Sequence, residues 1–309
     1  MALVDVVLGY DCNLACDYCT ITPEMRRRSL PTRDVLEAIA TGRRMGFDAV
    51  AFTGGEPTIR PDLIGLVRSA ARAGYRDIKV QSNGLMFSYP EFTQKLLGAG
   101  ANRIHVSIHT HDANAYDTLV GRAGSHALMV RGLDAMVASR IALTVDVILK
   151  EDTYRRLPAA LEWLHARGVR SVHLWFVSLT DGNRENVKSM PRMTDVTPTL
   201  FNAFQIARVL GMDVRSLHVP RCLLGEHVDR AYDPGADRVW VVTPEASFEL
   251  KDSRLAGREF VAACDGCAHR AVCPGIRPDY LARFGDAEFA AARGQLATRA
   301  GHTALPVLR

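Results

Sequence analysis

Val4-Asp5-Val6-Val7-Leu8-Gly9-Tyr10, followed at once by Cys12-Asn13-Leu14-Ala15-Cys16-Asp17-Tyr18-Cys19, decides how the rest of the chain is read. An apolar, β-like run delivers three cysteines spaced C-x3-C-x2-C. Thiolates so spaced can hold three irons of a [4Fe–4S] cluster, and the local chain offers no fourth. One iron would stay open to another ligand, which makes a reaction site rather than only an electron carrier. A zinc site or a short ferredoxin-like loop is the plainer reading of the same spacing.

Working outward, 309 residues suffice for one large domain, or one large and one small. The formal charge of +4 comes without a dense basic stripe, so no nucleic-acid partner is expected. Arg26-Arg27-Arg28 reads as a solvated loop, with an anion contact as the alternative. No apolar run approaches the roughly 18 residues of a membrane span. The N-terminus lacks the basic-then-apolar layout of a secretory signal. The expectation is a cytoplasmic protein with no membrane partner. In that reducing setting the seven cysteines do not suggest a disulfide framework. They divide into Cys12, Cys16 and Cys19 near the start, and Cys222, Cys264, Cys267 and Cys273 in the last third.

From Val4 to Val177, β-like and helix-like runs alternate. The predicted strands are Val4–Leu8, Ala49–Thr53, Ile78–Gln81, Arg103–Ile108, Leu143–Leu149 and Val172–Val177. Between them, Asp34–Met45 places Val35, Leu36, Ile39 and Ala40 on one face, and Leu63–Ala73 does the same with Leu63, Leu66, Val67 and Ala70. Pro90–Leu97, Ser125–Ala138 and Arg155–Arg167 complete the predicted helices. Six such units imply parallel strands with helical crossovers, short of the eight that close a barrel. Beyond Ser178 the regularity fades. Asp181–Asp195 reads as a loop, Thr199–Leu210 as a helix, and Arg238–Val242 with Ser247–Leu250 as a hairpin around Thr243-Pro244-Glu245-Ala246.

Chemistry in parallel barrels collects at the C-terminal ends of strands. Strand two ends in Thr53-Gly54-Gly55-Glu56-Pro57, where glycines permit close backbone approach and the glutamate adds a charge. Strand three ends in Gln81-Ser82-Asn83-Gly84. Alternation puts His105, Ser107 and His109 on one face of strand four. Asp146 sits among apolar neighbours on strand five, where an inward carboxylate needs a partner: ribose, substrate or an arginine. Trp175 and Phe176 on strand six read first as core packing. A structural histidine is likewise the plain reading of His109 or His111 alone.

The cysteine triad with Tyr18 in its aromatic position resembles the signature of the radical S-adenosylmethionine (radical SAM) superfamily. Gly54-Gly55-Glu56-Pro57 resembles that family's GGEP motif, and Ser82-Asn83-Gly84 a segment often found beside its cofactor. The resemblance implies a (β/α)6 partial TIM barrel. It implies that SAM chelates the open iron through its methionine amino and carboxylate groups. Glu56 and the two glycines would meet the methionyl ammonium, Ser107 and His109 the ribose or carboxylate, and Trp175 the adenine, with Asp146 on ribose hydroxyls or substrate.

Cys264-x2-Cys267-x5-Cys273, about 40 residues beyond Cys222, can complete a second, four-ligand cluster. The segment through Pro274-Gly275 and Tyr280 resembles the SPASM or shorter Twitch extensions of radical SAM enzymes, and four cysteines fit the Twitch-like form with one auxiliary [4Fe–4S] cluster. Zinc is the structural alternative, with four cysteines, or three and His227 or His269. Cys222 could instead be a free hydrogen-atom donor. The expected organisation is α/β: a partial barrel over 1–200, a small α+β cysteine-rich domain over 213–290, and a tail over 291–309.

The resemblance implies reductive cleavage of SAM and hydrogen abstraction by a 5′-deoxyadenosyl radical, with a flavodoxin- or ferredoxin-type external electron donor. With no peptide-recognition segment ahead of the cysteines, the expected substrate is a small molecule: a sugar, nucleoside or amino-acid-derived metabolite, in a natural-product setting. A maturase of ribosomal peptides, an epimerase using Cys222, and a non-catalytic iron–sulfur or zinc-stabilised module stay as alternatives.

Overall fold

A computed structural model describes residues 2–232, 237–253 and 259–290; the proposed tail at 291–309 lies outside the described residues. Among them, seven parallel strands run β1 Ala2–Val7, β2 Ala49–Thr53, β3 Asp77–Ser82, β4 Arg103–Ser107, β5 Ala142–Leu149, β6 Ser171–Phe176 and β7 Asp213–Leu217. Parallel neighbours need crossover connections. Helices α1 Thr32–Arg44, α2 Leu63–Arg72, α3 Pro90–Gly98, α4 Ala113–Val120, α5 Ser125–Ala138, α6 Leu157–Ala166 and α7 Met193–Leu210 supply them, and α8 Pro278–Phe284 lies near the C-terminus.

The short β8 Ala231–Tyr232 pairs parallel to β7. At the opposite side β9 Arg238–Val242 pairs parallel to β1 and antiparallel to β10 Ser247–Glu249. The order β10-β9-β1-β2-β3-β4-β5-β6-β7-β8 leaves an open, mostly parallel α/β sheet: the six βα units of the sequence reading, widened at both edges. The hairpin expected from sequence is therefore part of the main sheet.

Alternation along each strand separates two environments. Val4, Val6, Val80, Ile104 and Val106 are fully buried beneath the helices. Asp5, Lys79, His105, Ser107, His173 and Arg215 are less completely buried, on the face away from the helices. Asp146 shares that face, paired in register with Ser107 and His173. Helix α2 buries Leu63, Leu66, Val67 and Ala70, as its pattern predicts. Each of its larger apolar side chains contributes roughly 1.5–3 kcal/mol. Helix α1 buries Val35, Ala38, Ile39 and Gly42, leaving Leu36 40% exposed. Its inner face is the i, i+3, i+4, i+7 stripe, one step round from the expected one. No helix among the described residues is long and apolar enough to cross a membrane.

Candidate active site

The cysteine loop leaves the C-terminal end of β1 and is fixed by the chain's own backbone. Ala15 and Asp17 N–H groups donate to the Val120 and Leu119 carbonyls at the end of α4, both at 3.0 Å. Arg26 donates to the carbonyls of Cys12 (3.1 Å) and Leu14 (2.9 Å). Arg28 and Tyr10 both bind Glu245 in the β9–β10 turn. Arg26 and Arg28 thus brace this loop, while Arg27 and Arg28 stay exposed as a solvated stretch would. Buried Lys150 spans Asp17 (2.8 Å) and Asp152 (2.7 Å).

The glycines of the second strand end approach that same loop. A Cβ on Gly54 would lie 2.2 Å from Gly9 O, and one on Gly55 2.2 Å from Asp11 O. Gly55 and Glu56 N–H groups donate to those carbonyls at 2.9 and 2.8 Å. Glu56 is 2% exposed and joins the ends of β2 and β3. Its Oε1 accepts from Thr58 N–H (3.0 Å), Thr58 Oγ1 and Ser82 Oγ (2.9 Å), and its Oε2 from Asn83 N–H (2.6 Å). Burial raises the Glu56 pKa, against the pull of Asn83, Thr58 and Ser82. Asn83 Nδ2 then donates to Asn13 Oδ1 inside the cysteine loop (2.7 Å). Asn13 was missed as a site residue; its place between two cysteines was the available signal.

Tyr18 and His109 form a relay. Ile148 N–H donates to His109 Nδ1 at 3.0 Å, so Nδ1 is the unprotonated nitrogen. The imidazole is neutral, its pKa lowered to about 4 by burial, with Asp146 opposing. Its proton therefore sits on Nε2 and faces Tyr18 Oη in a short contact. Tyr18 in turn hydrogen-bonds Cys16, partly offsetting the burial that pushes that thiol up to about 12.

Asp146 meets two histidines and a tryptophan rather than an arginine. Trp175 Nε1 donates to Oδ1 (3.0 Å), while His105 Nδ1 lies 3.3 Å from Oδ2 and His173 Nδ1 3.8 Å from Oδ1. Ser107 stands beside Asp146 in register on β4, half-buried. Phe176 packs in the core against Tyr280, whereas Trp175 is half-buried on the opposite face.

The second cysteine set also converges. Cys222 lies in a turn after β7, so both sets follow the C-terminal ends of parallel strands. Cys222, Cys264, Cys267 and Cys273 line one cavity with Pro220, His269 and Ile276. The Cys222 thiol is pushed up to about 12 by burial and by its three neighbouring cysteines. His227 is held between Phe201 and Phe204 instead. Four converging thiols suit a positively charged inorganic group, which binds them deprotonated.

The sequence profile of the radical SAM superfamily matches residues 6–164. Among curated proteins, a "Probable GTP 3',8-cyclase" of Methanopyrus kandleri is 32% identical over 160 residues, 50% of this chain and 49% of that protein. One of Saccharolobus solfataricus is 25% identical over 171 residues, 55% and 54% of the two chains. The chain thus spans about half the length of the curated relatives it matches. In fold it is similar to anSMEcpe with bound AdoMet, with TM-score 0.68, 13% identity and coverage of 98% of this chain and 100% of that one. Streptococcus suis SuiB bound to S-adenosylmethionine gives TM-score 0.68 at 11% identity, covering 91% and 74%. A profile that takes in more than half of the 309 residues, on a sheet of matching fold, makes this chain a member of the radical SAM superfamily.

Proposed function

We propose that this chain reductively cleaves S-adenosylmethionine and directs hydrogen-atom abstraction at a carbon of a small-molecule substrate. The observation that carries the reading is the loop of Cys12, Cys16 and Cys19 at the end of β1, braced by Arg26 and tied through Asn13 to Asn83 beside Glu56. A [4Fe–4S] cluster held by those cysteines supplies, when bound, the electron for cleavage, delivered by an external flavodoxin- or ferredoxin-type donor. The wall for SAM comprises Tyr18, Gly54, Gly55, Ser82, Asn83, Ser107, His109 and Trp175. Glu56 holds the ends of β2 and β3 in that wall together, and Asp146 fixes the Trp175 indole. The Twitch-like assignment of the C-terminal part, with an auxiliary [4Fe–4S] cluster on Cys222, Cys264, Cys267 and Cys273, rests on the cavity these four share. The small-molecule assignment is supported by relatives named as GTP cyclases over the matched half.

Anaerobic reconstitution with iron and sulfide, followed by metal counting and a 5′-deoxyadenosine assay, tests this. About eight irons per chain and SAM cleavage are expected. Four irons with bound zinc would remove the auxiliary cluster. A fully loaded, reduced protein that cleaves no SAM would remove the enzyme. Cys222→Ala separates its two roles: a ligand loses iron at the second site, whereas a hydrogen donor keeps the iron and changes the product.

A further inference from the structure

Away from the cysteines, one cluster has the chemistry of a metal site. His105 on β4, Asp146 on β5 and His173 on β6 are lateral neighbours on the face turned away from the helices. They are the group among the described residues whose potential ligand atoms all lie within 4.8 Å of one another. The rings of His105 and His173 meet edge to face at 5.4 Å. All three side chains are well covered, at 12%, 5% and 16% exposure.

Two further observations single it out. Asp146 Oδ2 is buried and makes no hydrogen bond; His105 Nδ1 is 3.3 Å away but without hydrogen-bond geometry. An unsatisfied buried carboxylate oxygen is costly, on the order of 1–3 kcal/mol or more. The other oxygen is already oriented by Trp175 Nε1, as outer partners orient metal-bound carboxylates. The imidazoles present Nδ1 to the carboxylate, and the His173 ring rests on Tyr232 at 5.3 Å.

We propose that His105, Asp146 and His173 bind one divalent first-row transition-metal ion, with open positions for an oxygen ligand. Two imidazoles and one carboxylate are a donor set for zinc or ferrous iron. Bonds near 2.1 Å would bring the ligand atoms to about 3.0–3.5 Å apart, within reach of small histidine side-chain rotations. The site uses none of the seven cysteines.

The test uses reconstituted protein with its cysteine sites filled, incubated with Zn2+, desalted, and assayed for zinc, iron and sulfide. One retained zinc per chain is expected. Asp146→Asn, His105→Gln and His173→Gln should each lower it at least tenfold while iron and sulfide stay unchanged. Anomalous scattering at the zinc edge should place the ion between the three side chains, a readout independent of how any variant folds. Wild-type protein that retains no zinc, zinc retention unaffected by all three substitutions, or an anomalous peak elsewhere would overturn the proposal.

Discussion

Glu56 accepts four hydrogen bonds while 2% exposed, and a carboxylate is the one group of its size that only accepts. Glu56→Gln would turn an NH2 toward Asn83 N–H or toward the Thr58 and Ser82 donors. A loss of about 1–3 kcal/mol is expected, read as a lower midpoint in urea, with impaired iron loading because Asn83 also holds Asn13. Tyr18 acts differently, through Cys16. Hydrogen bonds to cluster sulfurs raise the reduction potential, so Tyr18→Phe should shift the reconstituted cluster to a more negative midpoint in an EPR-monitored titration. His109→Phe should shift it the same way by less, since Tyr18 keeps its own proton donor. Both should retain full iron content. Little of this could be read from the sequence. Tyr18 and His109 are 91 residues apart, and their meeting depends on how β4 ends beside the cysteine loop.

At the level of elements, helices with a clear apolar stripe were legible. Leu63, Leu66, Val67 and Ala70 face inward as their spacing dictates. Leu66→Ala should cost about 2–5 kcal/mol, measurable by chemical denaturation, with the cysteine loop intact below the transition. Two elements, β7 and α4, were not legible, each for a physical reason. Strand β7, Asp213-Val214-Arg215-Ser216-Leu217, carries charged residues on its lumen side and so lacks an apolar run. Helix α7 was expected over Thr199–Leu210 and is found there, but it begins earlier, at Met193, across Pro198, the residue that marked a break in the pattern. Helix α4 is eight residues long, capped by the Asp112 side chain on Ala115 N–H and ended by Gly121 in the left-handed region. Its caps, more than its periodicity, carried the signal.

For the molecule as a whole, His109 couples stability to pH. Its pKa is about 4 when folded against 6.5 as the ordinary value. The unfolded chain therefore binds the extra proton between those values. Stability from this residue is present above pH 6.5 and is lost as pH falls toward 4. The full loss is on the order of 3 kcal/mol. Denaturation midpoints measured from pH 7 down to 4.5 should fall for the wild type and fall less steeply for His109→Gln. The glycine-rich and cysteine motifs stood out in the sequence because they are contiguous. The His105–Asp146–His173 cluster did not, because the sheet assembles it from three strands.

The pairing of β1 with β9 makes recognition and folding different things. The stretch that identifies the superfamily, 6–164, contains a first strand flanked on one side by β2 and on the other by residues 238–242. A chain that stops at residue 232 would present β1 as a bare, apolar margin, open to pairing with another copy. Such a truncation should self-associate in light scattering, and its cysteine loop should load iron poorly, having lost Glu245 as the anchor for Tyr10 and Arg28. During synthesis, β1 would wait for β9, made more than 200 residues later, before its wall is complete.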